Sequence, residues 1–182
     1  MNVPLRKSVK LLSPRITLLI TTVNEKGDVN AAPFSWVNGV SMNPPMIYVG
    51  VDRNNKGTLP NIEAKKEFVA NVVSEDFAEK AMICEMKSED KVKQSGLGFI
   101  DSEKVSVPGI KESKVRLECK LVKIIDVEGA DHLLVIGEIV NAVCDSLTER
   151  EMPDLDRIKP ILHASDEEFR GVGKKIRLKR YK

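Results

Sequence analysis

The sequence predicts a mainly β protein with short helices, folded as a small antiparallel barrel. Three observations carry that reading: short apolar runs at close spacing, turn residues between them, and few stretches with helical periodicity. At 182 residues the chain is long enough for one domain with a substantial core, and 42% of it is apolar. Residues 1–182 are accordingly read as a single domain with a basic C-terminal end.

Ile16 to Val23 is rich in β-branched residues and reads as the first strand. The polar turn Asn24-Glu-Lys-Gly-Asp28 folds it back into Val29 to Phe34, a hairpin. Trp36 to Ser41 and Met46 to Val51 are two more strands, separated by Met42-Asn-Pro-Pro45, where two prolines remove backbone donors and force an extended turn. Thr58 to Lys66 is a short helix: Thr58 can serve as N-cap, and Pro60 is tolerated in the first turn. Glu67 to Val73 returns to strand character. Ser74 to Met86 follows as a helix, with a cap-type serine, early acids and the apolar residues Phe77, Ala81 and Cys84. Ser95-Gly-Leu-Gly98 then opens a loop-rich stretch through Pro108-Gly109. Two long strands, Val115 to Val127 and His132 to Val143, flank Glu128-Gly-Ala-Asp131; their apolar content predicts burial on both faces and closure of the barrel. The last third carries Pro153, Pro160 and a short hairpin around Ile161 to Ser165 and Phe169.

Composition narrows the function. Lys plus Arg (29) nearly balance Asp plus Glu (27), so no global field favours nucleic acid or a membrane. Lys174, Lys175, Arg177, Lys179, Arg180 and Lys182 do make the end basic. It reads as a solvated tail or last strand, since the chain lacks the base-stacking aromatics that single-strand binding adds. Arg6, Lys7 and Lys10 precede Ile16 to Ile20, but Pro14 and Arg15 interrupt the apolar run and no small-residue cleavage site follows. No apolar stretch approaches the ~20 residues that span a bilayer, so a cytoplasmic location is expected. Cys84, Cys119 and Cys144 are odd in number and widely spaced, which reads as buried structural thiols. His132 and His163 are equally isolated, and no metal site is expected.

Chemistry concentrates between Ile16 and Ile62. A phosphate monoester needs cations and oriented donors, and Arg53, Lys56, Thr58 and the amides opening the next helix offer both within six residues. An ordinary exposed loop is the competing reading. In Asn30-Ala-Ala-Pro-Phe-Ser35, two alanines leave room for a flat ligand to approach the backbone, while Asn30 and Ser35 supply polar handles. Close packing against another strand would use the same residues.

Taken in order, Gly27, Asn30, Ala31 and Ser35, then Ser41, Asn43, Pro44 and Pro45, then Arg53, Lys56, Thr58, Asn61 and Ile62 follow the pattern G-x-x-N-A-x-x-x-S, S-x-N-P-P, R-x-x-K-x-T-x-x-N-I. With the opening Ser13-Pro-Arg-Ile-Thr-Leu-Leu19, this resembles the flavin reductase-like, FMN-binding split-barrel family over about residues 10–75. Ser95-Gly-Leu-Gly98 is similar to a family loop near the flavin. Two long strands, and Pro160-Ile-Leu-His163 before Phe169 and Gly173, extend a looser likeness from Lys114 onward.

The resemblance implies an antiparallel Greek-key split barrel that forms a homodimer, with FMN near the subunit interface. It places the phosphate at the Arg53 to Thr58 loop, with Val51 and Asp52 leading into it. Asn30, Ala31, Ala32, Pro33, Phe34 and Ser35 would line the isoalloxazine and ribityl chain through backbone groups, and Ser95 and Gly96 would approach from the later loop. No catalytic acid, base or nucleophile is expected, because a flavin carries its own chemistry and the protein binds, orients and tunes it. The activity implied is transfer of electrons from NAD(P)H through FMN to a flavin, a ferric complex or a protein. A non-enzymatic FMN-binding electron carrier or flavin store fits the same residues, since no Rossmann-type Gly-rich fingerprint separates the two. A flavin-free binding module, its basic end on an anion or nucleic acid, is the third reading. Trp36, next to Ser35, reads first as buried packing and second as a neighbour of the flavin. His163 reads first as structural and second as a group within reach of a nicotinamide or a partner's flavin.

Overall fold

The computed structural model describes residues 2–178. The apolar runs pair as antiparallel strands: β1 (Arg15–Ile16), β2 (Leu18–Val23), β3 (Val29–Phe34), β4 (Val37–Met42) and β5 (Pro45–Asp52) precede the helix α1 (Thr58–Lys65). β6 (Glu67–Val72) leads into the short helices α2 (Ala78–Ile83) and α3 (Lys91–Ser95) and the two-residue strands β7 (Phe99–Ile100) and β8 (Gly109–Ile110). The long strands β9 (Val115–Ile125) and β10 (His132–Cys144), the turn-like helix α4 (Leu155–Ile158), and the hairpin β11 (Leu162–Ser165) and β12 (Glu168–Arg170) complete the chain.

Seven strands form one antiparallel sheet in the order β3-β2-β6-β9-β10-β5-β4. Leu18, Ile20, Val49, Phe68, Cys119 and Val135 meet in one buried cluster, capped by Leu59 and Ile62 of α1. Side chains from β2, β5, β6, β9 and β10 thus converge on one interior, as in a barrel. The sheet is not hydrogen-bonded shut. β3 and β4, consecutive in the chain, are its two edges, and the split lies between them. A smaller sheet, β1-β11-β12, lies over a second core of Leu19, Ala31, Val73, Phe77, Ala81 and Ile161.

The long hairpin departs from expectation. β9 and β10 lie in mid-sheet between β6 and β5 and do not close the barrel, and they are not buried on both faces. Leu117, Cys119 and Leu121 of β9 face the core, whereas Val122 stays 49% exposed. The period-2 alternation of a one-sided sheet outweighs the apolar content. One outward residue, Glu118, is nevertheless buried. Its carboxylate accepts the backbone N–H groups of Glu103 (3.0 Å) and Lys104 (2.6 Å) and the Asn141 side chain (2.9 Å), pinning the 102–107 loop to the sheet. Burial pushes its pKa up, but these donors outweigh burial and hold it below the ordinary glutamate value.

Three helix expectations also change. Thr58 is not the N-cap: Gly57 holds that position, and the Asn55 carboxamide accepts from Gly57 and Leu59 N–H. The Ser74 to Met86 helix shrinks to a 3-10 turn, Glu75–Phe77, and α2, because Ser74 bridges to Pro160 and remains extended. The first strand breaks at Thr17, where the chain exchanges β11 for β6 as its partner; Thr17 N–H donates to Ile161 while its carbonyl accepts from Val73. The 3-10 segment Leu5–Leu12, α3 and α4 carried no sequence signal that singled them out. Of the basic end, residues 171–178 are exposed and outside any element, while Lys179, Arg180 and Lys182 lie outside the described residues.

Two outcomes follow. A Cβ at Gly137 would overlap the Phe68 ring and lie 3.2 Å from Cys119 Cβ, so Gly137→Ala lowers stability by about 1–3 kcal/mol, read as a lower urea midpoint at unchanged slope. Because the Glu118 pKa is depressed in the folded state, its contribution is present above the ordinary carboxylate range, about pH 4.3, and is lost as pH falls through the lower folded value. Glu118→Gln therefore flattens the acid limb of a stability–pH curve and leaves the alkaline limb unchanged.

Candidate functional site

The loop from β5 to α1 carries the expected phosphate donors, and the structure gives them three different roles. Arg53 is held against the β9–β10 turn. Its guanidinium donates to both Asp126 carboxylate oxygens, to the Val127 carbonyl (3.0 Å) and to the Ala130 carbonyl, and its backbone N–H donates to the Asp131 carbonyl (3.1 Å). The hydrogen bonds to Arg53 hold the Asp126 carboxyl below its usual range and raise the guanidinium further. Thr58 is fully buried, and its hydroxyl accepts from the Asn30 side chain at 3.2 Å. The same Asn30 amide reaches Thr22, which also accepts from Asn61 at 3.0 Å, so this network ties β2, β3 and the start of α1 together. Lys56 alone presents a free cation. It is exposed and has no ion-pair partner among the described residues. The backbone N–H groups of Lys56 and Thr58 likewise find no acceptor among those residues. Val51 belongs to the core, and the exposed Asp52 accepts from Asn54 N–H at 2.7 Å to shape the turn.

From this corner β3 runs along the open edge of the sheet. Alternation sends Asn30, Ala32 and Phe34 to one face and Ala31 and Pro33 to the other. Ala31 is fully buried in the second core, and Pro33, which lacks an N–H, is at home on an edge strand. An edge strand leaves alternate backbone groups unpaired on its outer side. From Asn30 to Ser35, at a rise of about 3.4 Å per residue, the edge spans about 17 Å.

At the far end, Ser35 Oγ lies 2.8 Å from His163 Nδ1, and His163 Nε2 lies 3.1 Å from the Asp166 carbonyl. A carbonyl only accepts, so Nε2 carries the proton, and in the neutral ring Nδ1 accepts from the Ser35 hydroxyl. Arg15 stands opposite His163 in the β1–β11 register. Trp36 is 37% exposed, stacks on His132 with ring centroids 4.4 Å apart and lies beneath the Arg15 guanidinium, so buried packing does not describe it. Beside Ser35 opens a cleft of about 720 Å³, within the range of small-molecule sites. Pro33, Phe34 and Ser35 form one side, Met82 and Met86 a second, and His163 and Phe169 a third.

Ser95 and Gly96 end α3, which packs against β3. The Ser95 hydroxyl donates to Val92 at 2.6 Å, Gly96 closes α3 at φ +61°, and neither lines the cleft. Thr17, Met82 and Met86 were not foreseen as site residues; nothing local in sequence marks them, because the cleft gathers separate segments spread between residues 17 and 169.

Comparison with known proteins agrees with this fold. Residues 12–172 match the family model of the flavin reductase like domain. The chain belongs to the flavin reductase-like family. A protein of Halalkalibacterium halodurans is 35% identical over 182 residues, covering 92% of this chain and 86% of that one. A flavin reductase of Pseudomonas putida is 29% identical over 121 residues, 66% of this chain and 67% of its own length. Among solved structures, nitrilotriacetate monooxygenase component B from Bacillus cereus superposes with a TM-score of 0.89 at 29% identity, covering 97% of this chain and 95% of that one. The fold is shared with the flavoredoxin of Desulfovibrio vulgaris (Miyazaki F), at a TM-score of 0.84 and 24% identity over 98% and 97% of the two chains.

In this flavin reductase-like chain the Arg53–Asp126 contact fastens the loop that presents Lys56. Asp126→Asn therefore loosens residues 52–58, seen as faster amide hydrogen exchange at Arg53. Adding Arg53→Ala raises exchange further, because it also removes the bonds to the Val127 and Ala130 carbonyls, but by less than the sum of the two single effects, since the ion pair is already broken.

Proposed function

We propose that the protein is an FMN-dependent oxidoreductase that draws electrons from NAD(P)H and delivers them to a flavin, a ferric complex or a protein. One observation carries this: the open edge of β3, about 17 Å from Asn30 to Ser35, joins a corner with a free ammonium and unpaired amides to an apolar cleft, as a ligand with a phosphate at one end and a flat ring at the other requires. FMN, when bound, supplies hydride acceptance and one- or two-electron transfer. The chain supplies the rest. Lys56 and the N–H groups of Lys56 and Thr58 hold the phosphate, with Asn30 bracing that corner through Thr58. The edge backbone of residues 31–35 faces the ring system, and the cleft walls keep water from it. Arg53 is left out of the phosphate set because Asp126 and the 127–130 carbonyls occupy its donors.

A homodimer fits the same picture. Leu5, Leu11 and Leu12 are 88%, 65% and 73% exposed in a segment with no buried residue, and Met42 on the edge strand β4 is 96% exposed. A second copy covering these groups would remove them from water. The relatives named a flavin reductase and a monooxygenase component B support the redox reading. At about −0.3 kcal/mol per heavy atom, a ligand of roughly 31 such atoms reaches about −9 kcal/mol, a sub-micromolar dissociation constant.

The test is the visible spectrum of the protein mixed with FMN, followed by anaerobic addition of NADH or NADPH. Flavin bands that bleach with a nicotinamide support the oxidoreductase; bands that bleach only with dithionite make the protein an electron carrier, and absence of binding removes the flavin. Lys56→Ala weakens FMN about tenfold and riboflavin less than twofold. Equal losses for both flavins would take the phosphate away from Lys56.

A further inference from the structure

Arg15 carries a charge that nothing in the described chain balances. It is half-buried, and its Nε is shielded from water without a hydrogen-bond partner. Among the described residues its guanidinium makes one hydrogen bond, from Nη1 to the Val9 carbonyl at 3.3 Å, and pairs with no carboxylate. Arg53, Arg116, Arg157 and Arg170 each meet a carboxylate, and the remaining described arginines, Arg6, Arg150 and Arg177, are exposed. A partly buried guanidinium without a counter-charge is destabilising, which points to an anion or a developing negative charge at this place.

The fold puts this charge at the Ser35 end of the β3 edge. Arg15 pairs with His163 across β1 and β11, so both side chains stand on one face of the small sheet. His163 and Thr17, two residues further along β1, line the cleft, and His163 Nδ1 lies 2.8 Å from Ser35 Oγ. On its other side the Arg15 Cζ lies 5.8 Å from the centre of the Trp36 ring, a cation–π contact that holds the guanidinium beside the residue following Ser35. The neighbouring cation Lys10 is taken by Asp166 at 2.7 Å. Glu79, Glu85 and Glu167 also line the cleft, but they are exposed and screened by water and salt, whereas a half-buried charge is screened much less.

We propose that Arg15 is the counter-charge of the reduced ring: it stabilises the negative charge that the flavin acquires on reduction and so raises the potential of the bound cofactor. This role rests on the flavin reading. A hydride delivered by a nicotinamide brings two electrons and one proton, so the ring gains one negative charge while the nicotinamide becomes a cation. The oxidised ring is neutral. Arg15 therefore favours one redox state over the other, as a preorganised cation does where charge develops, and contributes little to holding the oxidised cofactor.

The experiment measures, anaerobically and on the full chain, the affinities of oxidised and dithionite-reduced FMN and the midpoint potential of the bound flavin. Arg15→Gln is expected to cut the preference for reduced over oxidised FMN about tenfold, which for a two-electron couple is about 30 mV toward a more negative potential. Arg15→Met, which keeps an unbranched stem over Trp36, gives the same shift, and Arg15→Lys, which keeps the charge, retains most of the preference. The flavin-free protein supplies a separate reading: removing an unbalanced charge leaves the melting temperature of the two neutral variants unchanged or higher. Equal weakening of both redox states, or an unchanged potential in both neutral variants, overturns the proposal and leaves the flavin reading in place. A fall in melting temperature in both neutral variants also overturns it, because Arg15 would then be a structural residue. A raised KM for NADPH at unchanged potential overturns it too, assigning the guanidinium to a phosphate of the nucleotide. Failure of the unsubstituted protein to bind FMN removes the flavin reading and this role with it.

Discussion

The structure depends on two consecutive strands that do not pair. β3 and β4 are separated only by Ser35 and Trp36, a spacing that elsewhere makes a hairpin. Here Trp36 is drawn to the other edge: its carbonyl accepts from Gly50 N–H at 2.7 Å, and Gly50 leaves so little room that a Cβ there would meet Trp36 Cβ at 3.1 Å. β4 then pairs with β5, and β3 keeps a free edge. Natural sheets usually cover or charge such an edge. This one is flanked by small residues and a proline, which suits an edge kept for a ligand.

The rest of the molecule serves that edge. α1 plugs the main core with Leu59 and Ile62 and brings Asn61 to Thr22, so the start of β3 is held from two sides. The small β1-β11-β12 sheet brings His163 to Ser35 and holds the end of β3. Between these fixed ends the backbone of residues 31–34 is immobilised without its outer groups being consumed. Arg53 and Glu118 do comparable work further out, each fastening a loop with several charge-assisted hydrogen bonds.

Much of this was legible in the chain because it is local. The Asn24 to Asp28 turn specifies the β2–β3 hairpin, and Pro44 and Pro45 mark the turn between β4 and β5. Arg53 and Lys56 could both be picked out as cations in a polar loop. Arg53 could not be told from Lys56, because its partner Asp126 is distant in sequence and reads as part of the strand Val115 to Val127. Thr58 looked like a cap because cap residues are recognised by type, yet the helix starts one residue earlier, and Asn55, two positions before Gly57, accepts from Gly57 and Leu59 N–H. The long strands misled through composition: apolar residues such as Val122 on an outward face read as core until register is known. The cleft was invisible for a topological reason, since Thr17, Met82 and His163 meet only after β1 has paired with β11.

The two halves of the site are encoded differently. The corner around Lys56 is built from residues 53–61, the adjoining hairpin and the β9–β10 turn that clamps Arg53, whereas the cleft draws one wall from α2 and another from the β11–β12 turn. Substitutions in those late segments can reshape what enters the cleft without touching the corner or the seven-stranded sheet. Such a division lets descent preserve one half as an inheritance and treat the other as raw material. Variation between relatives is then to be sought around residues 79–86 and 163–169, where a handful of exchanges redirects the protein at little cost to its folding.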